Sequence, residues 1–151
     1  MIVTFCGHAR FSKREEYEQK IFDYLEEKVG DRSADMYLGG YGEFDGFAYA
    51  CCKKYKEKHP KTSLVFVTPY LTSAYSKERA NYEQEKYDTI LYPEIEDKPP
   101  RLAIIYLNQW MIEKADCVIA YVTHDWGGAY QAYTYAKKRG KEIFNLATFE
   151  S

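Results

Sequence analysis

Six of the nine glycines lie in three short loops, and each loop directly follows a predicted strand. A glycine tolerates positive φ and has no Cβ, so a ligand can approach backbone N–H groups there, and a helix that begins just beyond adds partial positive charge. One glycine also serves tight strand-to-helix packing, so only the three loops together predict a phosphate-binding site. The glycines assigned to this site are Gly7, Gly39, Gly40, Gly42, Gly127 and Gly128.

Basic and imidazole side chains accompany these glycines. Arg10 is predicted to hold a phosphate through its planar fork, or else to pair with Glu43 or Asp45. His8 and His124 are predicted to donate to a ribose or phosphate oxygen, or to act as acid or base near neutral pH. The alternative for both histidines is a helix cap or a hydrogen bond that fixes a loop.

Negatively charged carboxylates also lie in or beside these loops. Asp45 is predicted to bond ribose hydroxyls or to face the oxocarbenium-like carbon of a glycosidic cleavage, with a helix N-cap as the alternative. Glu43 and Asp125 have the same alternatives. Because carboxylates repel a phosphate, some of them must contact sugar or base instead. Glu43 and Asp45 are therefore the candidate catalytic residues if a bond is cleaved.

Aromatic and amide side chains complete the candidate site. Tyr41, Tyr70 and Trp126 each offer a flat face on which a purine can stack, with packing at the bases of the loops as the alternative. Arg101 and Asn108 are seven residues apart, two turns along one face of a predicted helix, and either could reach the ligand or lie in solvent. All five are predicted ligand contacts.

Apolar runs that alternate with helical periodicities must position these loops. Strands are predicted at 2–6, 34–38, 63–67, 117–122 and 142–146, with a shorter one near 89–92. Gly30 and Gly140 are predicted to end two of the intervening helices. The pattern is typical of an α/β fold: a three-layer Rossmann-like sandwich with a mainly parallel sheet of five or six strands and helices on both faces. Right-handed crossovers then bring the loops that follow the strands to one edge.

Length and composition predict one domain over residues 1–151, with sixteen tyrosines supplementing its aliphatic core. The pattern weakens between residues 72 and 100, where an insertion or lid is predicted. No apolar stretch approaches the roughly 20 residues of a bilayer span. The first residues lack a basic region and a cleavage site, so a cytoplasmic protein is expected. Exposed tyrosines favour a homodimer.

Charge and residue spacing argue against several ligands. The net charge of −2, from 21 basic and 23 acidic residues, provides no field for a polyanion, so no duplex nucleic acid is expected as a partner. The histidines lack a carboxylate at fixed spacing, so no metal site is predicted. The sequence has no G-x-x-x-x-G-K-S/T, and its G-x-G-x-x-x-G at 40–46 follows the second strand, not the first. P-loop and NAD-dehydrogenase chemistry are therefore not expected, and no cofactor is predicted.

Several segments together resemble the SLOG superfamily: residues 7–11, 38–45 and 108–111, and the run from Ala115 to Gly128. This group of Rossmann-like domains includes the LOG enzymes and the core of DNA-processing protein A, and the chain is most similar to its small bacterial and phage members. The resemblance spans nearly the whole chain. It implies a nucleotide or nucleotide-derived ligand bound across the loops.

The LOG enzymes cut the N-glycosidic bond of a nucleoside monophosphate, using an arginine and the glutamate that ends P-G-G-x-G-T-x-x-E. In this chain Leu38 takes the place of the proline, Glu43 that of the threonine and Gly46 that of the glutamate. The resemblance therefore favours a sensor or binding module for a nucleotide or nucleotide-derived small molecule.

Two other functions stay open from the sequence. One is a phosphoribohydrolase-like N-glycosidase in which Glu43 or Asp45 supplies the carboxylate and Arg10 holds the phosphate. The other is a single-stranded DNA partner, as in the DNA-processing relatives, which would need a basic stripe that the charge count does not provide.

Overall fold

Six strands and four helices alternate along the chain in the computed structural model, which describes residues 1–12, 15–39, 42–68, 86–93, 99 and 102–147. The strands are β1 (Ile2–Gly7), β2 (Ala34–Leu38), β3 (Thr62–Val67), β4 (Thr89–Leu91), β5 (Cys117–Tyr121) and β6 (Glu142–Asn145). The helices are α1 (Glu15–Lys28), α2 (Glu43–Lys58), α3 (Ala103–Lys114) and α4 (Gly128–Lys138).

The strands form one sheet in the order β4-β3-β2-β1-β5-β6, and every neighbouring pair is parallel. Helices α1 and α2 pack on one face, where their buried residues join the largest core cluster. Helices α3 and α4 pack on the other face with two smaller clusters. The predicted Rossmann-like sandwich with a parallel sheet and helices on both faces is confirmed.

Nearly continuous apolar runs form the central strands because both faces of the sheet are covered. Val3 and Phe5 of β1 belong to the cluster under α1 and α2, whereas Cys6 packs under α4. In β5, Ile119 belongs to the cluster under α1 and α2, and Val118 packs under α4. This alternation follows from the two-residue period of a strand. All four cysteines are buried as small apolar side chains, Cys6 and Cys117 on these strands and Cys51 and Cys52 on α2.

Helix ends follow the glycine pattern at two positions and depart from the prediction at a third. Gly30 and Gly140 have φ values of +58° and +70° just beyond α1 and α4, as expected for left-handed C-terminal caps. At α2 the N-cap is Gly42, and Asp45 lies inside the first turn. The predicted N-cap role of Asp45 is therefore wrong, and its carboxylate instead interacts favourably with the helix dipole.

Most of the predicted insertion at 72–100 lies outside the described residues, and the lid stays a prediction. Thr89 to Leu91 do form a strand, which pairs with β3 from Val65 to Val67 at the edge of the sheet. In the part of the chain that the structure describes, no helix is both long and apolar enough to cross a membrane.

Candidate functional site

We call the space between the carboxyl ends of the neighbouring parallel strands β1 and β5 the crevice. The chain leaves β1 toward α1 on one face and leaves β5 toward α4 on the other, so the two strand ends form a topological switch point, where open α/β sheets bind ligands. The β1 loop (residues 8–12) and the β5 loop (residues 122–127) border this crevice. Gly42, at the end of the loop that follows β2 (the β2 loop, residues 39–42), lies beside Ala9 of the β1 loop.

Two of the predicted ligand-binding glycines are needed where β1 and its loop pack against the start of α2. A Cβ on Gly7 would lie 2.3 Å from Cδ2 of the buried Phe44 ring. Gly42 has a φ of +90°, and a Cβ there would lie 2.9 Å from Cα of Ala9. These glycines permit close packing of the protein against itself, which is the alternative that the sequence left open.

Glu43, the first residue of α2, joins the β1 loop to the start of that helix. Its backbone N–H donates to the Ala9 carbonyl at 2.9 Å, and its Oε2 accepts from the Phe11 backbone N–H at 2.8 Å. The carboxylate thus satisfies an amide of the β1 loop. Arg10 lies exposed between these two contacts.

A column of three stacked rings joins the β1 and β5 loops across the crevice. The His8 and His124 rings stack with centroids 3.8 Å apart and an interplanar angle of 14°. His124 stacks in turn on Trp126, again with centroids 3.8 Å apart, at 18°. Trp126 is 68% exposed, so the column ends in an indole with a large free surface. Within the described residues it is the only large hydrophobic side chain that is exposed.

His8 fixes the position of the β5 loop. Its Nε2 accepts a hydrogen bond from the Thr123 backbone N–H at 2.9 Å. Nε2 therefore carries no proton, and the ring is neutral with its proton on Nδ1. Burial, and then the nearby charge of His124, lower the pKa of His8 below its ordinary value. This contact is the loop-fixing alternative for His8, whereas Nδ1 of His124 is buried without a hydrogen-bond partner among the described residues.

The His8 contact predicts a loss of stability in mild acid. The folded state holds the pKa of His8 below the unfolded value of about 6.5, so the unfolded state binds more protons as the pH falls below that value. The contribution of His8 to the free energy of unfolding should be fully present above about pH 6.5, and the free energy of unfolding should decrease as the pH is lowered from that value. Urea titrations across this range check the effect, with His8→Gln as control because glutamine keeps an acceptor and does not titrate. An equal pH dependence in both proteins would contradict the assignment.

The N-terminus of α4 is the open side of the crevice. Its N-cap, Gly127, has a φ of +91°, and no described side chain makes a capping hydrogen bond at this helix end. Apart from its chain neighbours and its own helix backbone, no atom of the described residues lies within 4 Å of the position that a Cβ on Gly128 would take. Gly128 borders a pocket of about 200 Å³ between α3 and α4, whose lining is Ile105, Asn108, Gln109, Gly128, Gln131 and Ala132.

The structure divides the predicted site residues into groups. His8, His124 and Trp126 meet in the ring column, and Asn108 and Gly128 meet at the pocket, with Gly127 beside them. Gly7, Gly42 and Glu43 serve contact between β1 with its loop and the start of α2. Gly39 is buried after β2 and Asp45 is partly buried in α2, whereas Arg10 and Asp125 are exposed. Gly40, Tyr41, Tyr70 and Arg101 lie outside the described residues, so their predicted roles stay predictions.

Sequence reasoning missed the pocket residues Gln109 and Gln131. Gln131 could have been found, because it follows Gly128 by three residues and therefore lies one helical turn beyond it on the same face. Gln109 has no such signal, since only the packing of α3 against α4 brings it to the first turn of α4.

Comparison with known proteins shows the same fold in two bacterial proteins. DNA processing protein A from Helicobacter pylori matches with a TM-score of 0.60 at 16% identity, over 96% of this chain and 64% of that one. DNA processing protein A from Streptococcus pneumoniae matches with a TM-score of 0.63 at 12% identity, over 95% and 49%. The chain thus spans less than two thirds of either protein. No family model and no curated protein matches the sequence.

These comparisons show a Rossmann-like fold and correct one prediction. On charge, the sequence predicts no duplex nucleic acid as a partner and provides no basic stripe for a single strand. This prediction from charge is corrected by the comparison, because the Helicobacter pylori protein of this fold is described as binding single-stranded DNA. The physical reason is that net charge sums over the whole surface, whereas single strands are also held by stacking on a few aromatic side chains.

Proposed function

We propose that the chain is a binding module for a nucleotide, held at the crevice between β1 and β5 with its phosphate at the first turn of α4 and its base against Trp126. The observation that carries the proposal is the exposed indole of Trp126, which ends the ring column two residues before the open N-terminus of α4. A stacking surface and an anion site thus adjoin each other, as the base and phosphate of one nucleotide do.

The phosphate end of the ligand is supported by the geometry of α4. The first N–H groups of a helix have no partner inside the helix, and the helix dipole adds partial positive charge at that end. Among the described residues no side chain caps these groups at α4, and Gly128 has open space there where other residues have a Cβ. A phosphate oxygen can therefore approach the backbone directly.

The base end is supported by the rigidity of Trp126. Its ring rests on His124, which rests on His8, so the indole is held in place from below. A preorganised aromatic face costs little entropy when a base stacks on it. Because stacking and a phosphate contact are the chemistry of any nucleotide unit, the ligand can be a free nucleotide or part of a single strand, which the Helicobacter pylori protein is described as binding.

The N-glycosidase alternative has weaker support. Glu43, one of its two candidate carboxylates, already accepts a hydrogen bond from the Phe11 backbone N–H. Its position therefore holds the β1 loop in place. Membership of the SLOG superfamily, the cytoplasmic location and the homodimer stay predictions from the sequence.

We expect Trp126→Ala to weaken nucleotide binding by about 5- to 150-fold, corresponding to the 1–3 kcal/mol that one stacked base contributes. The free energy of unfolding should change by less than about 0.5 kcal/mol, because the side chain is 68% exposed. Isothermal titration calorimetry with AMP, GMP and a short oligothymidylate measures binding and separates free nucleotides from a single strand.

Glycine substitutions provide the matched test of the phosphate site. Gly128→Ala should fold normally, since nothing lies within 4 Å of the new Cβ, yet it should weaken AMP binding by obstructing the first turn of α4. Gly46→Ala is the control, because it also adds a Cβ into open space, in a different helix. The proposal fails if the parent protein binds none of the three probes, or if Trp126→Ala and Gly128→Ala bind them as tightly as Gly46→Ala.

A further inference from the structure

The pocket between α3 and α4 has hydrogen-bonding capacity that the protein itself does not use. Asn108 and Gln109 are partly buried and Gln131 is exposed at the rim. None of these three carboxamides has a hydrogen-bond partner within the ranges that the structure describes. Each carboxamide carries an acceptor oxygen and two donor hydrogens, so a group that enters the pocket meets both kinds of partner.

Size and charge restrict what can enter. The pocket holds about 200 Å³, below the roughly 300–1,000 Å³ of sites that enclose a whole drug-sized ligand. It therefore suits one ring rather than a complete nucleotide. The described residues of its lining carry no charge, so a neutral polar group suits the pocket.

The pocket and the proposed stacking surface flank the same turn of α4. Gly128 lines the pocket and Trp126 precedes it by two residues, so their Cα atoms are no more than about 7 Å apart. We propose that the carboxamides of Asn108 and Gln131 read the edge of the base that stacks on Trp126, and that they favour adenine over guanine. This inference rests on the proposed function and adds the identity of the base.

The preference follows from hydrogen-bond patterns. Adenine presents an N6 donor beside an N7 acceptor, and one carboxamide pairs with both at once. Guanine presents two acceptors at the same edge, O6 and N7, which arginine or lysine satisfies. A carboxamide held in that bidentate pairing places its oxygen opposite one of the two guanine acceptors, and the described lining has no cationic side chain to take its place.

Calorimetric titration of the full chain with AMP and with GMP tests the inference. AMP should bind about 5- to 150-fold more tightly than GMP, the discrimination typical of one bidentate contact. Asn108→Leu and Gln131→Met should bring the ratio of the two affinities close to one, while binding of GMP changes little. Gln19→Met is the matched control, because Gln19 is a carboxamide on α1, across the sheet, and should keep the preference.

The outcomes separate this inference from the proposed function. Equal binding of AMP and GMP that still depends on Trp126 would overturn the adenine preference and leave the nucleotide site standing. An AMP preference that survives both Asn108→Leu and Gln131→Met would also overturn the inference. Binding of neither nucleotide would overturn both. The melting temperature of each variant shows that it is folded, and Asn108→Ser replaces Asn108→Leu if that variant is not.

Discussion

Gly7→Ala is expected to destabilise the fold by about 2–3 kcal/mol, the upper part of the range for overpacking a core. The new Cβ would lie 2.3 Å from Cδ2, 2.4 Å from Cγ and 2.8 Å from Cβ of Phe44. A clash that reaches the root of a side chain cannot be relieved by swinging its far end. The Phe44 ring also has no free space, because it is 0% exposed and stands 5.4 Å from the ring of Phe11.

Urea denaturation of Gly7→Ala and Gly46→Ala measures this cost against a matched control. Gly46 lies within α2 with nothing inside 4 Å of its new Cβ, so alanine should stabilise the helix there by up to about 1 kcal/mol. The two glycine-to-alanine changes thus have opposite expected signs. If Gly7→Ala unfolds at the same urea concentration as the parent protein, the close approach of β1 to Phe44 is not real.

Phe44→Ala is expected to be the most destabilising of the substitutions considered, at about 3–5 kcal/mol. Phe44 is fully buried in the first turn of α2, and its ring stands 6.4 Å from Phe47 and 6.0 Å from Tyr121, centroid to centroid. Truncation removes the apolar contact and leaves a cavity directly beneath the β1 and β2 loops. Thermal or urea unfolding gives the magnitude, and a loss below about 1 kcal/mol would contradict this packing.

The two substitutions should also be coupled, because the cavity left by one accommodates the methyl group added by the other. Gly7→Ala should cost about 1–2 kcal/mol less in the Phe44→Ala background than in the parent protein, a coupling typical of residues in contact. Leu25→Ala is the control background, since Leu25 is equally buried but lies near the end of α1. Additive effects in both backgrounds would show that the new methyl group does not meet the Phe44 ring.

The stability predictions bear on function because Phe44 and Gly7 support the β1 loop from below. That loop carries His8, which holds the β5 loop through the Thr123 N–H and supports the ring column that ends in Trp126. A destabilised β1 loop would therefore weaken nucleotide binding without touching the ligand. For this reason Trp126 and Gly128, whose substitutions leave the core intact, are the better positions for testing the site.

Local patterns in the sequence determined the architecture of this protein. Apolar runs of five or six residues predicted the strands, and glycines beyond the helical repeats predicted the ends of α1 and α4, where Gly30 and Gly140 adopt positive φ. These features could be predicted because they depend on the period of side chains along a strand or helix and on the backbone freedom of single residues. The prediction that the loops lie at one edge of the sheet followed from the right-handedness of the crossovers.

Only the tertiary structure decided which loop residues meet each other. The sequence treated Gly7, Gly42, Gly127 and Gly128 alike, yet the first two pack against Phe44 and Ala9 whereas Gly128 faces open space. It also did not reveal that His8 stacks on His124 or that Gln131 adjoins Asn108. Such contacts join residues far apart in the chain, and they arise because the order of strands places β1 beside both β2 and β5. That order results from packing the whole chain into one core, which no local window of sequence contains.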